Sequence, residues 1–152
     1  MLNIYVDADA CPVKQEVCRV AGRCGLTVTF VANSPMRVPD PGISRLVVVG
    51  SGFDEADDWI VNQVLADDIV VTADILLANR CIGRGARVIG PAGRPFTLEN
   101  IGQAMAMREL MSDLREAGNI AGGPPPFQKK DRSRFLHQFD QMIQALKRNN
   151  KK

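Results

Sequence analysis

Apolar positions along the 152-residue chain alternate between two patterns. Short runs rich in Ile, Val and Tyr read as buried strands, and stretches with apolar residues three and four apart read as helices. The first run, Leu2 to Val6, stops at Asp7, and Pro12 then suits a helix start because its fixed φ and missing N–H cost little there. From Pro12 to Cys24 the positions Val13, Val17, Cys18, Val20 and Ala21 keep helical spacing, and Gly25 ends the pattern. Leu26–Ala32 and Arg45–Val49 read as the second and third strands, separated by the turn chemistry of Asn33–Arg37 and Pro39–Gly42. Phe53–Ala66 reads as a helix capped by Asp54, with Ile60, Val61, Val64 and Leu65 on its apolar face and Asp57 turned the same way. Ile69–Thr72 is a fourth strand, Ile75–Cys81 a short helix and Ala86–Ile89 a fifth strand.

Beyond Pro91 the pattern changes. Thr97 is expected to cap a helix running to about Arg115, with Ile101, Ala104, Met105, Leu110, Met111 and Leu114 on its apolar side. Ala117–Phe127 holds three Gly and three consecutive Pro and reads as an irregular connection. Asp131 caps a last helix whose Phe135, Leu136, Phe139, Met142, Ile143 and Leu146 form one stripe. That stripe must pack on the body, on a partner, or on another subunit of a homo-oligomer.

Alternation of strands with helices predicts an α/β fold, a three-layer α/β/α arrangement around a mostly parallel sheet of about five strands. The length suits one domain. Residues 1–116 make its α/β body, 117–130 a Gly/Pro-rich connection and 131–152 a basic amphipathic helix of the same domain.

Composition changes little in this picture, since 45% apolar and 24% charged residues are ordinary for a globular chain. Apolar runs are far too short for a membrane span and Asp7 interrupts any leader-like segment, so a cytoplasmic protein with no membrane partner is expected. The four cysteines show no paired C-x-x-C spacing and His137 is the only histidine, which argues against a zinc site. Charge is more informative. From Lys129 onward eight Lys/Arg face two Asp (+6), whereas eleven Lys/Arg face fifteen Asp/Glu before it (−4). An acidic body with a basic C-terminal segment suits a protein that gathers carboxylates at one place and holds a polyanion with another. A solvated tail would look the same.

Four acids share a position in the pattern. Asp7 and Asp9 follow the first strand, Asp57 lies in the first helical turn after the third, and Asp74 follows the fourth. Each alone is explained by capping or by a helix dipole. Together, at strand carboxyl ends, they form a set that repels itself unless a hard cation, Mg²⁺ or Mn²⁺, neutralises it. Such a cation could activate water against a phosphodiester. Lys14, Arg37, Lys129, Lys130, Arg132 and Arg134 are candidates to hold phosphate, against the alternative of an unliganded basic helix start.

Three motifs carry a resemblance. Tyr5–Lys14, Val70–Ile75 and Gly122–Phe127 followed by Lys130–Phe135 resemble the YaiI/YqxD family of small bacterial proteins, a likeness that covers nearly the whole chain and names no activity. That family in turn is similar to PIN-like nuclease domains. The similarity implies neighbouring first and fourth strands, with Asp7, Asp57 and Asp74 as metal ligands and Asp9 as a fourth ligand or the holder of a metal-bound water. Asp54 and Asp58 compete with Asp57 for the helical place. The expected activity is divalent-metal-dependent hydrolysis of RNA.

Rival readings remain open. Asp7-x-Asp9 also resembles the haloacid-dehalogenase-like hydrolases, which would make Asp7 the nucleophile, Asp9 the general acid and Thr72 a phosphoryl ligand of a Mg²⁺-dependent phosphatase. Cys11 could be a nucleophile at a helix start. A non-catalytic module that binds RNA or a protein is the third.

Overall fold

Each run expected to be a strand enters a single sheet in the computed structural model, which describes residues 2–52, 54–118 and 126–150. The strands are β1 (Ile4–Asp7), β2 (Val28–Ala32), β3 (Ser44–Val48), β4 (Ile69–Val71), β5 (Arg87–Ile89) and β6 (Pro95–Phe96). The first five are parallel, and β6 joins antiparallel to β5. This sixth strand exceeds the number the pattern indicates. It has two residues and begins with a proline, which a sheet tolerates at an edge because no ladder N–H is required there.

The sheet order is β3-β2-β1-β4-β5-β6. β1 therefore stands between β2 and β4, with Ile4 beside both Val28 and Ile69. From β1 the chain winds one way through β2 and β3, and from β4 it winds the other way. The carboxyl ends of β1 and β4 mark that reversal, which is where open α/β sheets leave a crevice for ligands.

Among the described residues five helices cover the sheet: α1 (Lys14–Arg23), α2 (Glu55–Gln63), α3 (Ile75–Gly83), α4 (Ile101–Glu116) and α5 (Lys129–Asn150). Side chains alternate across a strand, so β1 feeds two cores. Ile4, Val6 and Ala8 join the core made with α1 and α5, while Tyr5 joins that made with α2 and α3. Asp7 follows the parity of Tyr5. The stripe of α5 packs on the body, with Phe135, Phe139 and Ile143 fully buried beside α1. Each such side chain contributes about 1.5–3 kcal/mol.

Several helix starts differ from expectation. Asp54 does precede α2, but it adopts a left-handed φ of 67° and its side chain makes no cap. The last helix begins two residues before Asp131, whose Oδ2 instead accepts the Gln128 N–H at 3.0 Å from within the first turn. Thr97 and Asn100 bond each other's backbone N–H groups reciprocally, and α4 starts after them at Ile101. Of the apolar positions on α4 only Ile101 is buried, and Leu110 is exposed. Residues 119–125, most of the Gly/Pro-rich connection, lie outside the described residues. Among the described residues no helix is long and apolar enough to cross a membrane.

Candidate functional site

β1 ends at Asp7 on the face covered by α2 and α3, and β4 ends one strand away. Thr72, only 1% exposed, links the two ends. Its hydroxyl donates to Asp7 Oδ2 at 2.9 Å and its Oγ1 accepts the Asp74 N–H at 3.0 Å. Asp74 caps α3, with Oδ1 accepting the N–H groups of Leu76 (2.9 Å) and Leu77 (3.3 Å). One oxygen of each carboxylate is thus held in place. Among the described residues, Asp7 Oδ1 and Asp74 Oδ2 accept no hydrogen bond.

The third acid comes from α2. Trp59 meets Tyr5 edge to face, ring centroids 6.1 Å apart, which seats α2 over β1. Asp57, two residues earlier, is half-buried toward the sheet. Asp58 is exposed and pairs with Arg80 at 2.9 Å, so it is turned away. The Asp57 carboxyl is pushed up to about 6, by burial first and then by the charges of Asp74, Asp7 and Asp54, against the opposing pull of Arg80. Asp7 is also raised, by burial first; the Thr72 hydrogen bond opposes this, and the Asp74 and Asp9 charges add to it. These acids repel one another across a shared face. They do not converge further: among the described residues no three His, Cys, Asp or Glu side chains are placed to hold one ion. Coulombic coupling reaches farther than a metal–oxygen bond, and both observations hold.

A folded-state value above the unfolded one means that charged Asp57 costs stability. The cost is complete above about pH 6 and fades as pH falls toward 4. Asp57→Asn is therefore expected to stabilise the metal-free protein at about pH 8 by roughly 1 kcal/mol, discounted for its partial exposure. Thermal unfolding should show a gain of roughly 2–4 °C there and little change near pH 4. A lower midpoint for the variant at the higher pH would contradict the repulsion.

The other expected site residues are dispersed. Asp9 is exposed, and its carboxylate accepts the Asn33 N–H at 3.0 and 3.3 Å, tying the loop after β1 to the end of β2. Lys14 Nζ donates to the Cys11 carbonyl at 3.0 Å. Arg132 Nη1 donates to both carboxylate oxygens of Glu16, at 2.8 and 3.0 Å, and the guanidinium lies over the Phe127 ring. Arg134 donates to the Ala92 carbonyl at 3.3 Å, Lys130 is exposed nearby, and Arg37 is exposed in the loop after β2. The burial of Cys11 raises its thiol, the opposite of what a nucleophile at a helix start requires. Thr72 is buried and its hydroxyl is engaged, so the phosphoryl-binding role is closed to it.

Two residues of this region escape the sequence pattern. Glu16 is 4% exposed, and its place three after Val13 and four before Val20 puts it on the apolar face of α1, a signal that was available. Arg94 lies in a glycine turn with no periodic signal. A cavity of about 660 Å³ lies elsewhere, beside the amino ends of β4 and β5 against α5, and includes Asp67, Arg87, Phe96 and Met142.

The sequence of residues 5–145 matches the model of a family described as uncharacterised, YaiI/YqxD. The chain belongs to that family. Among its relatives is a UPF0178 protein of Sphingopyxis alaskensis, 56% identical over 146 residues that cover 95% of each chain. The UPF0178 protein of Rhodospirillum centenum is 53% identical over 152 residues, covering 97% of this chain and 99% of its own. That of Nitrobacter winogradskyi is 51% identical over 147 residues, 97% and 94% of the two chains. No solved structure matches the chain. Family membership covers body and last helix alike and carries no activity with it.

Proposed function

We propose that this member of the YaiI/YqxD family is a divalent-metal-dependent nuclease that cleaves RNA phosphodiesters. The observation that carries the proposal is the grouping of Asp7, Asp57 and Asp74 at the reversal point of the sheet, where burial and the neighbouring carboxylates, Asp74 among them, raise Asp7 and Asp57. The donor set fits Mg²⁺ or Mn²⁺. It is all oxygen, one oxygen each of Asp7 and Asp74 is uncommitted among the described residues, and Mg²⁺ is commonly held by only one or two carboxylates with water filling its remaining positions. The likeness of the motifs to PIN-like domains supports RNA as the substrate.

When bound, the cation would activate a water and offset charge on the leaving oxygen. The protein's own contribution is positional. Thr72 holds Asp7 and Asp74 in fixed relation, and the Leu76 and Leu77 amides fix the orientation of the Asp74 carboxylate. Asp57, at about 6, can exchange a proton near neutrality while the cation is absent.

A phosphatase with Asp7 as nucleophile is less well supported, because Asp9 points to Asn33 and Thr72 is buried. The absence of three converging ligands among the described residues favours a second reading, a non-catalytic binding module. One comparison separates them: wild type, Asp7→Asn and Asp74→Asn on mixed RNA and DNA substrates with Mn²⁺. Wild type should cleave RNA, and each variant should lose roughly 10–100-fold or more. Equal rates in all three proteins, or none in any, would sink the nuclease reading.

A further inference from the structure

The cations expected to share one role have been given different ones. Arg132 is committed to Glu16, Lys14 to a loop carbonyl, and Arg37 stands apart. Lys130 and Arg134 are instead joined by Arg94, from the turn after β5, around a cavity of about 390 Å³.

We propose that this cavity, between the Gly90–Arg94 turn and the first turns of α5, binds a phosphate group through Arg94, Lys130 and Arg134. The charge balance favours an anion. Among the described residues Asp131 is the only acid lining the cavity, and its oxygens are occupied, Oδ2 by the Gln128 N–H at 3.0 Å and Oδ1 by Arg134 at 3.5 Å. Guanidinium groups match phosphate oxygens in forked geometry, and a lysine adds a mobile point charge.

The walls are rigid as well as basic. Gly90 N–H bonds the Arg94 carbonyl at 2.9 Å and Gly93 N–H bonds the Gly90 carbonyl at 2.9 Å, closing the turn. Gly93 has φ +89°, and a Cβ there would stand 2.6 Å from backbone atoms of Arg134 and Phe135, so the turn lies directly on the helix. Arg134 is braced by its bond to the Ala92 carbonyl. Cations on preorganised backbone lose less freedom on binding than cations on a loose tail. The turn also adjoins the acidic edge: a Cβ at Gly90 would stand 3.7 Å from the Thr72 carbonyl oxygen.

The proposal needs neither a metal nor hydrolysis. The phosphate could belong to an RNA strand or to a small phosphomonoester, and binding measured in the presence of a chelator separates these sources. Full-length wild type and the double variant Arg94→Gln/Lys130→Gln would be titrated with inorganic phosphate and with a tetraribonucleotide carrying or lacking a 5′-phosphate. Both side chains are exposed, so the variant should fold, and its unfolding midpoint checks this. Wild type should bind at least one probe, and the variant should bind it about ten-fold more weakly, with a salt slope reduced by roughly one for each cation that no longer meets a phosphate. Dependence on the 5′-phosphate assigns a terminal group, indifference to it assigns internal phosphodiesters, and binding of inorganic phosphate alone assigns a small ligand. Equal affinity of wild type and variant, or no binding of any probe by wild type, would overturn the proposal. Asp7→Asn, which tests the nuclease reading, should leave this affinity unchanged.

Discussion

Arg132→Ala should destabilise the protein by about 3 kcal/mol at neutral pH, whereas Glu16→Gln should cost only about 1 kcal/mol. The asymmetry follows from where the two partners sit. The Glu16 side chain is 5% exposed and the Arg132 side chain 46%. Removing the arginine strands a carboxylate beneath α5 that pairs with no other cation among the described residues. Removing the carboxylate leaves a guanidinium that water can reach, still resting on Phe127 at 5.3 Å. Thermal unfolding should drop by roughly 6–12 °C for Arg132→Ala. Equal losses for the two variants would contradict this account.

Gly93→Ala should cost a similar amount, about 3 kcal/mol, for a different reason. Part is conformational, because φ +89° is strained for any residue with a Cβ. The rest is steric, because the added carbon would meet helix backbone at 2.6 Å and backbone cannot step aside like the end of a side chain. Gly25 supplies the control. It has φ +71° with nothing within 4 Å of a Cβ, so Gly25→Ala should show only the conformational part, about 1 kcal/mol. If chemical denaturation gives the same loss at both positions, the turn does not bear on α5 as described.

Periodicity revealed most of the fold because its central strands β1, β2 and β4 are buried on both faces and most of its helices on one. The run Ile69–Thr72 can scarcely be anything but a central strand, and the stripe from Phe135 to Leu146 predicts a packed helix without saying against what. β6 stayed hidden, since two residues carry no period. Asp54 looked like a cap because composition cannot report that its backbone turns left-handed. The acids were legible for a topological reason: strand ends are where carboxylates collect in such a sheet, and the β1–β4 adjacency brings Asp7 and Asp74 together. The cations were not. Arg132 and Arg134 are two residues apart in sequence, yet one closes a buried ion pair and the other borders a cavity. What each of them meets depends on Glu16 and Ala92, which no local pattern connects to them.

The pairing of the first helix with the last has a kinetic consequence. Glu16 and Arg132 are 116 positions apart, and Lys147 reaches the carbonyl of Cys24 across a similar distance. Until α5 arrives, one side of the sheet has only α1 to cover Ile4, Val6, Phe30 and Val71. A chain emerging from the ribosome must therefore carry a half-covered apolar layer until the residues of α5 are available. This layer closes only when α5 docks, through contacts more than a hundred positions apart in sequence.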